Sequence, residues 1–451
     1  MFGSDITARR GGASTHAGPA DARTARRAGA LTDRARRRKS TDLVALIVQK
    51  FGGTSVGTIE RMRNVARRAL ASQAKGNDVV VIVSAMSGET NRLLGLAQQM
   101  ATAGVPSARE MDVIASTGEQ VSAALTALAI HAEGGKARSL LGHQVKIHTD
   151  GAFTKARIRA IEGSKLFSAV GAGEIAVVAG FQGIDEHGDI TTLGRGGSDT
   201  TAVAIAAAVG ASACEIYTDV DGVYTTDPGA CPSARKIPRI SYEEMLELAS
   251  LGAKVLQIRS VEIAMKYGVP IHVRSSFSEE EGTWVTGEDA TLEEVVVRGI
   301  AHDKNEARVH VIGVEDRPGV VADLFDGIAA KNISVDMIIQ NVSHGTGTPR
   351  TDLSFTIDKP DVEKARGAIG AFKADVGFDE VAIDEKIGKL SVVGVGMRTH
   401  SGVAATMFET LAREGINIEM ISTSEIKISV LVELSKGEQA LRAVHEAFLG
   451  K

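Results

Sequence analysis

Lys50 ends a short apolar run, Val44-Ala-Leu-Ile-Val-Gln, and is followed at once by Phe51-Gly52-Gly53-Thr-Ser. A cation beside paired glycines is a place to hold phosphate, because backbone N–H groups approach an anion closely where no Cβ intervenes. A glycine turn with a surface lysine has the same letters, and no G-x-x-x-x-G-K-[ST] occurs in the chain. A denser signal is Thr191-Thr-Leu-Gly-Arg195-Gly196-Gly197-Ser198-Asp199-Thr-Thr201, which precedes an alanine-rich helix expected over 202–209. A helix cap needs one Ser or Asp, and this segment holds far more. Arg195 beside glycines suits a carboxylate or a phosphate, and Asp199 suits a metal or the organisation of phosphate-binding groups. Farther along, Thr218-Asp219-Val-Asp-Gly222-Val-Tyr224-Thr-Thr-Asp227-Pro228 sets acids at a strand end, fit for ribose or magnesium or for simple Asx turns. Lys254 lies between small residues, where a snorkelling lysine is an equally good reading.

These residues need elements to hold them. The run at 44–49 reads as a buried strand, with a helix from Ile59 to about Ala74 after the glycine turn. Asp78–Met86 reads as a strand ending at Ser84, followed by a turn with Gly88 and Thr90 and a helix from Leu93. Thr117-Gly-Glu119 reads as a helix opening, Ile175–Gln182 as a strand, and Ser241-Tyr-Glu-Glu as a capping box. Gly171-Ala-Gly-Glu-Ile-Ala fits a dinucleotide fingerprint by letters but precedes a strand instead of following one. The eleven histidines show no metal-ligand spacing.

Composition bounds the function. At 451 residues the chain holds roughly three domains, and 43% apolar with 24% charged residues is ordinary globular usage. Aromatics are 4%, with Trp284 the single tryptophan, which speaks against stacking platforms for nucleobases. Cys214 and Cys231 are too few for a disulfide framework, so a reducing compartment, the cytoplasm, is the expectation. No apolar run approaches the roughly 18 residues that span a bilayer. The net charge of −5 combines +6 on residues 1–43 with −11 on the rest, and an acidic body argues against nucleic-acid binding. Residues 1–43 read as a disordered basic N-terminal extension, with a transit peptide, a nucleic-acid tail or an upstream start codon as its possible origins.

Together the segments resemble aspartate kinases of the amino acid kinase family, on Lys50-Phe-Gly-Gly-Thr-Ser, Val83-Ser-Ala-Met, Gly118-Glu119, Phe181-Gln-Gly, Thr191–Thr201, Tyr217-Thr-Asp-Val-Asp-Gly and Gly252-Ala-Lys-Val-Leu. The resemblance spans 44–451 and implies an α/β three-layer fold with a mostly parallel eight-stranded sheet over 44–300. It also implies transfer of the ATP γ-phosphoryl group to the β-carboxylate of L-aspartate, with Mg²⁺ held mainly by the ATP phosphates. By that likeness Lys50, Asp199 and Lys254 are catalytic, with Asp199 organising the two cations. Phe51, Gly52, Gly53, Ser84, Thr218, Asp219, Tyr224, Asp227 and Pro228 join Lys50 and Lys254 around ATP. Ser84, Thr90, Glu119, Arg195, Gly196, Gly197 and Ser198 hold aspartate, with Arg195 on its α-carboxylate and Glu119 on its ammonium. Two departures stand out: Gly229 follows Pro228 where many relatives carry Arg, and Gln120 follows Glu119 where Arg is usual.

From about 306 the chain repeats. Val311-Ile-Gly-Val matches Val392-Val-Gly-Val, and Phe325, Ile328, Ile333 and Met337-Ile338 recur 83 residues later as Phe408, Leu411, Ile416 and Met420-Ile421. The copies, 306–383 and 387–451, resemble ACT domains, ferredoxin-like βαββαβ modules that bind amino acids. In this family a tandem pair implies feedback control by lysine, threonine or both, through Asp316, Gly319, Val321 and Gln340 in the first copy and Asn417, Ile418 and Ser424 in the second. Oligomers through ACT–ACT contacts, with or without a shorter regulatory subunit, are implied too, and neither nucleic acid nor membrane is an expected partner. Another carboxylate kinase, such as a glutamate kinase, and an amino-acid sensor with an inactive kinase domain are the competing readings.

Overall fold

The computed structural model describes residues 44–100, 104, 106–251, 255–288, 296–343, 350–398 and 400–450. The basic extension expected over 1–43 and Lys254 therefore lie outside the described residues.

Eight strands form the main sheet: β1 (Leu46–Phe51), β2 (Asp78–Val83), β3 (Ala137–Leu140), β4 (Ile175–Ala179), β5 (Ala213–Thr218), β6 (Arg239–Ser241), β7 (Ile271–Ser275) and β8 (Thr283–Thr286). Their spatial order is β6-β8-β7-β5-β1-β2-β4-β3, and every pairing is parallel except β7 with β8. The central strands β2 and β4 are almost wholly apolar because helices cover both faces. On one face pack α1 (Ile59–Ala74) and α3 (Ala108–Ala132), and on the other α4 (Gly197–Val209) and α6 (Ile258–Tyr267). A strand sends alternate side chains to opposite faces, so Val48 and Lys50 point towards α4 while Phe51 is buried beneath α1. The chain leaves β1 for β2 on one side and returns as β5 on the other, which opens a crevice at the carboxyl ends of these strands. A small sheet of strands 147–149, 158–161, 182–184 and 190–192 adjoins.

Two helices differ from the sequence expectation. Thr117-Gly-Glu119 does not open a helix; it lies in the middle of the 25-residue α3. Gly118 is there for close approach, since a Cβ would come within 2.8 Å of the Ala85 Cβ. The helix expected from Ala202 begins at Gly197, because Gly196 adopts a left-handed φ of 67° and caps it. By length and mean hydropathy α3 is also the one helix among the described residues long and apolar enough to cross a bilayer, but it carries Asp112 and Glu119 and is largely buried as a core helix. It buries Asp112, Ser116 and Glu119 within the kinase-like segment. The Ser241 capping box is present at the start of α5 (Tyr242–Ser250), with Ser241 Oγ accepting from Glu244 N at 3.2 Å.

The rest of the chain builds two antiparallel four-stranded sheets. One orders β11 (Asp336–Ser343), β12 (Arg350–Asp358), β10 (Glu306–Glu315) and β13 (Glu380–Asp384); with α7 (Val320–Ala329) and α8 (Val362–Val376) it reads βαββαβ. The other orders β9 (Gly299–Asp303), β14 (Ile387–Val393), β16 (Lys427–Glu433) and β15 (Met420–Thr423), with α9 (Val403–Arg413) and α10 (Gly437–Leu449). Its fourth strand is thus β9, which pairs along β14 from Gly299–Val393 to Asp303–Lys389. The boundary expected at 300 falls inside that strand, and the first copy is inserted within the second. A terminal sequence pattern of strand, helix, two strands and helix has no fourth strand of its own, so the sheet takes one from upstream.

Candidate active site

Lys50 Nζ lies 2.6 Å from Asp199 Oδ1, with both side chains about nine-tenths buried. The pair forms because β1 directs Lys50 to the α4 face and the Gly196 cap places Asp199 in the first helical turn. A Cβ on Gly52 would meet Lys50 Nζ at 3.4 Å, and one on Gly53 would stand 2.8 Å from Ala85 O. Glycine is therefore required at 53, where the turn at 84–87 crosses it and Ser87 N donates to Gly53 O at 3.2 Å.

A cavity of about 630 Å³ opens over this pair. It brings Lys50 and Asp199 together with Ser84, Thr90 and Glu119 and with the whole run Arg195–Ser198. Glu119 is 4% exposed; its Oε1 accepts from Ala85 N at 3.0 Å, while its Oε2 is buried with no hydrogen-bond partner. Burial pushes its carboxyl up to about 7, against the smaller opposing effect of the Ala85 N–H. An orphan buried carboxylate oxygen facing an arginine-lined cavity is prepared for a ligand carrying both an amine and an acid.

Sequence reasoning missed Asp112, which lies two turns before Glu119 on the same face of α3 and is 1% exposed. It accepts from Thr192 N at 2.7 Å, Thr192 Oγ1 at 2.6 Å and Thr154 N at 2.9 Å. These bonds hold the 154 and 192 segments, and with them the loop that carries Arg195. Phe181, which the sequence shows only as part of a motif, takes a φ of 70°, unusual for a bulky residue, and its N–H donates to Thr201 Oγ1 at 3.0 Å. A Cβ on Gly197 would strike the Phe181 ring at 2.6 Å. Positive φ at a phenylalanine leaves no trace in sequence.

The remaining candidates do not line that cavity. Phe51 is fully buried and stacks on Tyr217, ring centroids 4.6 Å apart, so only its backbone is available to a ligand. Thr218 Oγ1 donates to Asp219 Oδ1 at 3.1 Å, and Tyr224 OH donates to Asp221 Oδ1 at 2.9 Å. Asp227 Oδ1 accepts from Gly229 N at 2.8 Å, an Asx turn that also includes Pro228. These five residues form a loop beside the carboxyl end of β5, joined to the glycine turn at 52–53 by Gly52 N donating to Tyr217 O at 3.3 Å. Among the described residues no group of three His, Cys, Asp or Glu could hold a metal ion.

The effector candidates sit at the two repeats' turns and edges. Gly319 caps α7 with φ 93°, as Gly402 caps α9 with φ 101°, and Asp316 and Val321 flank it. Gln340 lies on the edge strand β11; Asn417 and Ile418 precede the edge strand β15, and Ser424 follows it.

Residues 45–275 match the amino acid kinase family, and 311–374 and 390–448 each match the ACT domain. The chain is 54% identical to an aspartate kinase of Pseudomonas putida over 90% of this chain and 98% of that one. An aspartokinase of Mycolicibacterium smegmatis is 49% identical over 90% of this chain and 96% of its own length. Among solved structures, Escherichia coli aspartokinase III in complex with aspartate and ADP superposes with a TM-score of 0.76 at 25% identity, covering 90% of this chain and all of that one. The same enzyme with lysine and aspartate, described as a T-state, gives 0.70.

Proposed function

The chain belongs to the aspartate kinases of the amino acid kinase family, and from that membership we propose that it transfers the γ-phosphoryl group of ATP to the β-carboxylate of L-aspartate, giving 4-phospho-L-aspartate. The observation that carries this reading is the convergence of the Lys50–Asp199 pair, Arg195 and the unpartnered Glu119 oxygen on one cavity. Glu119 takes the ammonium of aspartate and Arg195 its α-carboxylate, which leaves the β-carboxylate facing Lys50. Lys50 neutralises charge on the moving phosphoryl group, and Asp199 holds the lysine in place. Phosphoryl transfer needs alignment and positive charge more than covalent help, and a carboxylate nucleophile needs no general base.

ATP lies along the glycine turn 52–53 and the loop holding Thr218, Asp219, Tyr224, Asp227 and Pro228, with Lys254 as a second cation on its phosphates. Mg²⁺ is held mainly by the nucleotide phosphates, where it offsets their charge during transfer. A coupled assay with aspartate and with glutamate tests the reaction. Turnover on glutamate alone, or on neither, rejects it.

Two ACT domains make the enzyme an allosteric one. Lysine, threonine or both act as inhibitors at the 316–321 and 417–424 turns, shifting the balance between open and closed catalytic states. The lysine complex of E. coli aspartokinase III supports this reading. Unchanged turnover under saturating lysine plus threonine rejects it. Assembly through ACT–ACT contacts, with or without a shorter regulatory chain, and a cytoplasmic setting complete the proposal.

A further inference from the structure

The nucleotide loop does not stand on the kinase sheet alone. His445, in the middle of α10 and fully buried, places Nε2 2.9 Å from Thr225 Oγ1 and Nδ1 3.4 Å from Ser233 Oγ. Thr225 immediately follows Tyr224, and Asp227 and Pro228 lie two and three residues beyond. Thr225 and Ser233 are the two limbs of the loop, which Thr225 N donating to Arg235 O at 2.8 Å holds together at its base. One imidazole therefore bridges both limbs from the second ACT copy.

Neighbouring contacts act in the same direction. Arg442, one helical turn before His445, donates Nε to Ala230 O at 2.7 Å at the tip of the loop. Ile300 N, in the strand that completes the same sheet, donates to Thr225 O at 2.7 Å. Burial first, and then the nearby Arg235, hold the His445 pKa below its usual value, which keeps the ring neutral, with one nitrogen donating and the other accepting. A core histidine needs only one partner to satisfy each nitrogen. Here both partners are loop residues that flank the nucleotide candidates, and they lie 220 and 212 residues away in sequence.

We propose that His445 is a positioning residue for ATP: it fixes the loop that carries Tyr224 and Asp227, so that the second ACT copy sets nucleotide affinity. The proposal rests on the nucleotide reading given above. Since coupling between sites is reciprocal, a nucleotide on the loop also stabilises the arrangement of α10 that holds it.

The test is steady-state kinetics of the full chain carrying His445→Phe, which keeps a ring and removes both hydrogen bonds. The expected result is a KM for ATP raised about five- to tenfold, the worth of one or two hydrogen bonds, with kcat and the KM for aspartate within about twofold of wild type. His445→Gln, which can restore one bond, should recover part of that loss. If His445→Phe does not fold, Arg442→Met, on an exposed position, carries the same test with a smaller rise. A fall in kcat with unchanged KM for ATP overturns the proposal, as does an equal rise in both KM values. Asp227→Ala separates the two readings. If it raises the KM for ATP while the His445 and Arg442 variants do not, the positioning role of His445 fails and the loop keeps its ligand. If Asp227→Ala leaves that KM unchanged, the loop is not the nucleotide's and both readings fall.

Discussion

Lys389 and Arg308 occupy equivalent places in the two ACT copies, and each reaches across to the other copy's acid: Lys389 Nζ to Asp336 at 2.9 Å, and Arg308 to Glu419 at 2.9 Å. The strands align at an offset of 81 and the later elements at 83, so Asp336 and Glu419 are equivalent as well. Met337 and Met420, also equivalent, pack in one cluster between the copies with Ile387 and Leu431. The tandem pair thus meets about a pseudo-two-fold axis.

The two ion pairs differ in burial, and stability should register it. Lys389 is 3% exposed and also pairs with the buried Glu306. Lys389→Met strands that carboxylate and should cost about 3–5 kcal/mol, whereas Arg308→Met, at a half-buried pair, should cost about 1 kcal/mol or less. Denaturant unfolding of the two variants compares them. Equal losses would show that the Glu306 contact is not what distinguishes them.

Lys50→Ala removes the cation paired with Asp199 and, on the proposed role of Lys50, should lower kcat by about 10²–10³-fold or more, with the KM for aspartate changed far less. Circular dichroism of the variant must still show the wild-type fold for the loss to count as chemical, since Asp199 is left buried without its partner.

Acidity should act on substrate recognition. With the Glu119 carboxyl near 7 in the free enzyme, lowering the pH from 8 to 6 protonates it and should raise the KM for aspartate severalfold. Glu119→Gln should raise that KM at every pH and flatten the dependence. The stability sign runs the other way. A carboxyl raised above its ordinary 4.5 contributes stability below that value, and the contribution is lost as the pH climbs through about 7. Ligand-free Glu119→Gln should therefore melt higher than wild type at pH 8, and a lower midpoint there would contradict the burial account.

Gly196 combines a φ of 67° with a Gln257 side chain 1.7 Å from any added Cβ. Gly196→Ala should shift Arg195 and raise the KM for aspartate, while Gly210→Ala, also at positive φ (64°) but in open space, should cost stability of about 1 kcal/mol and leave that KM alone.

Much of this cavity's lining was legible because its glycines and charges lie at strand and helix ends and stand next to each other in sequence. Lys50-Phe-Gly-Gly and the 191–201 run are such cases. Asp112 was not legible. A lone aspartate on a helix reads as solvated, and only contacts 42 and 80 residues away make it the peg of the Arg195 loop. Thr117-Gly-Glu119 misled for a related reason: Thr-Gly reads as punctuation, yet Gly118 was fixed by a neighbouring turn that no local pattern records. The fourth strand of the second ACT sheet was hidden by distance along the chain.

That distance has a cost in time. During synthesis β9 leaves the ribosome before the whole first copy, and its partner β14 begins 84 residues after β9 ends. The first copy can close as soon as its last strand emerges, while β9 stays an unpaired edge until the C-terminal segment arrives. The second ACT copy, α10 included, is therefore the last part of the molecule able to form, and a chain halted before residue 387 would hold a finished first copy beside a kinase segment whose 225–235 loop lacks its contacts with His445 and Arg442.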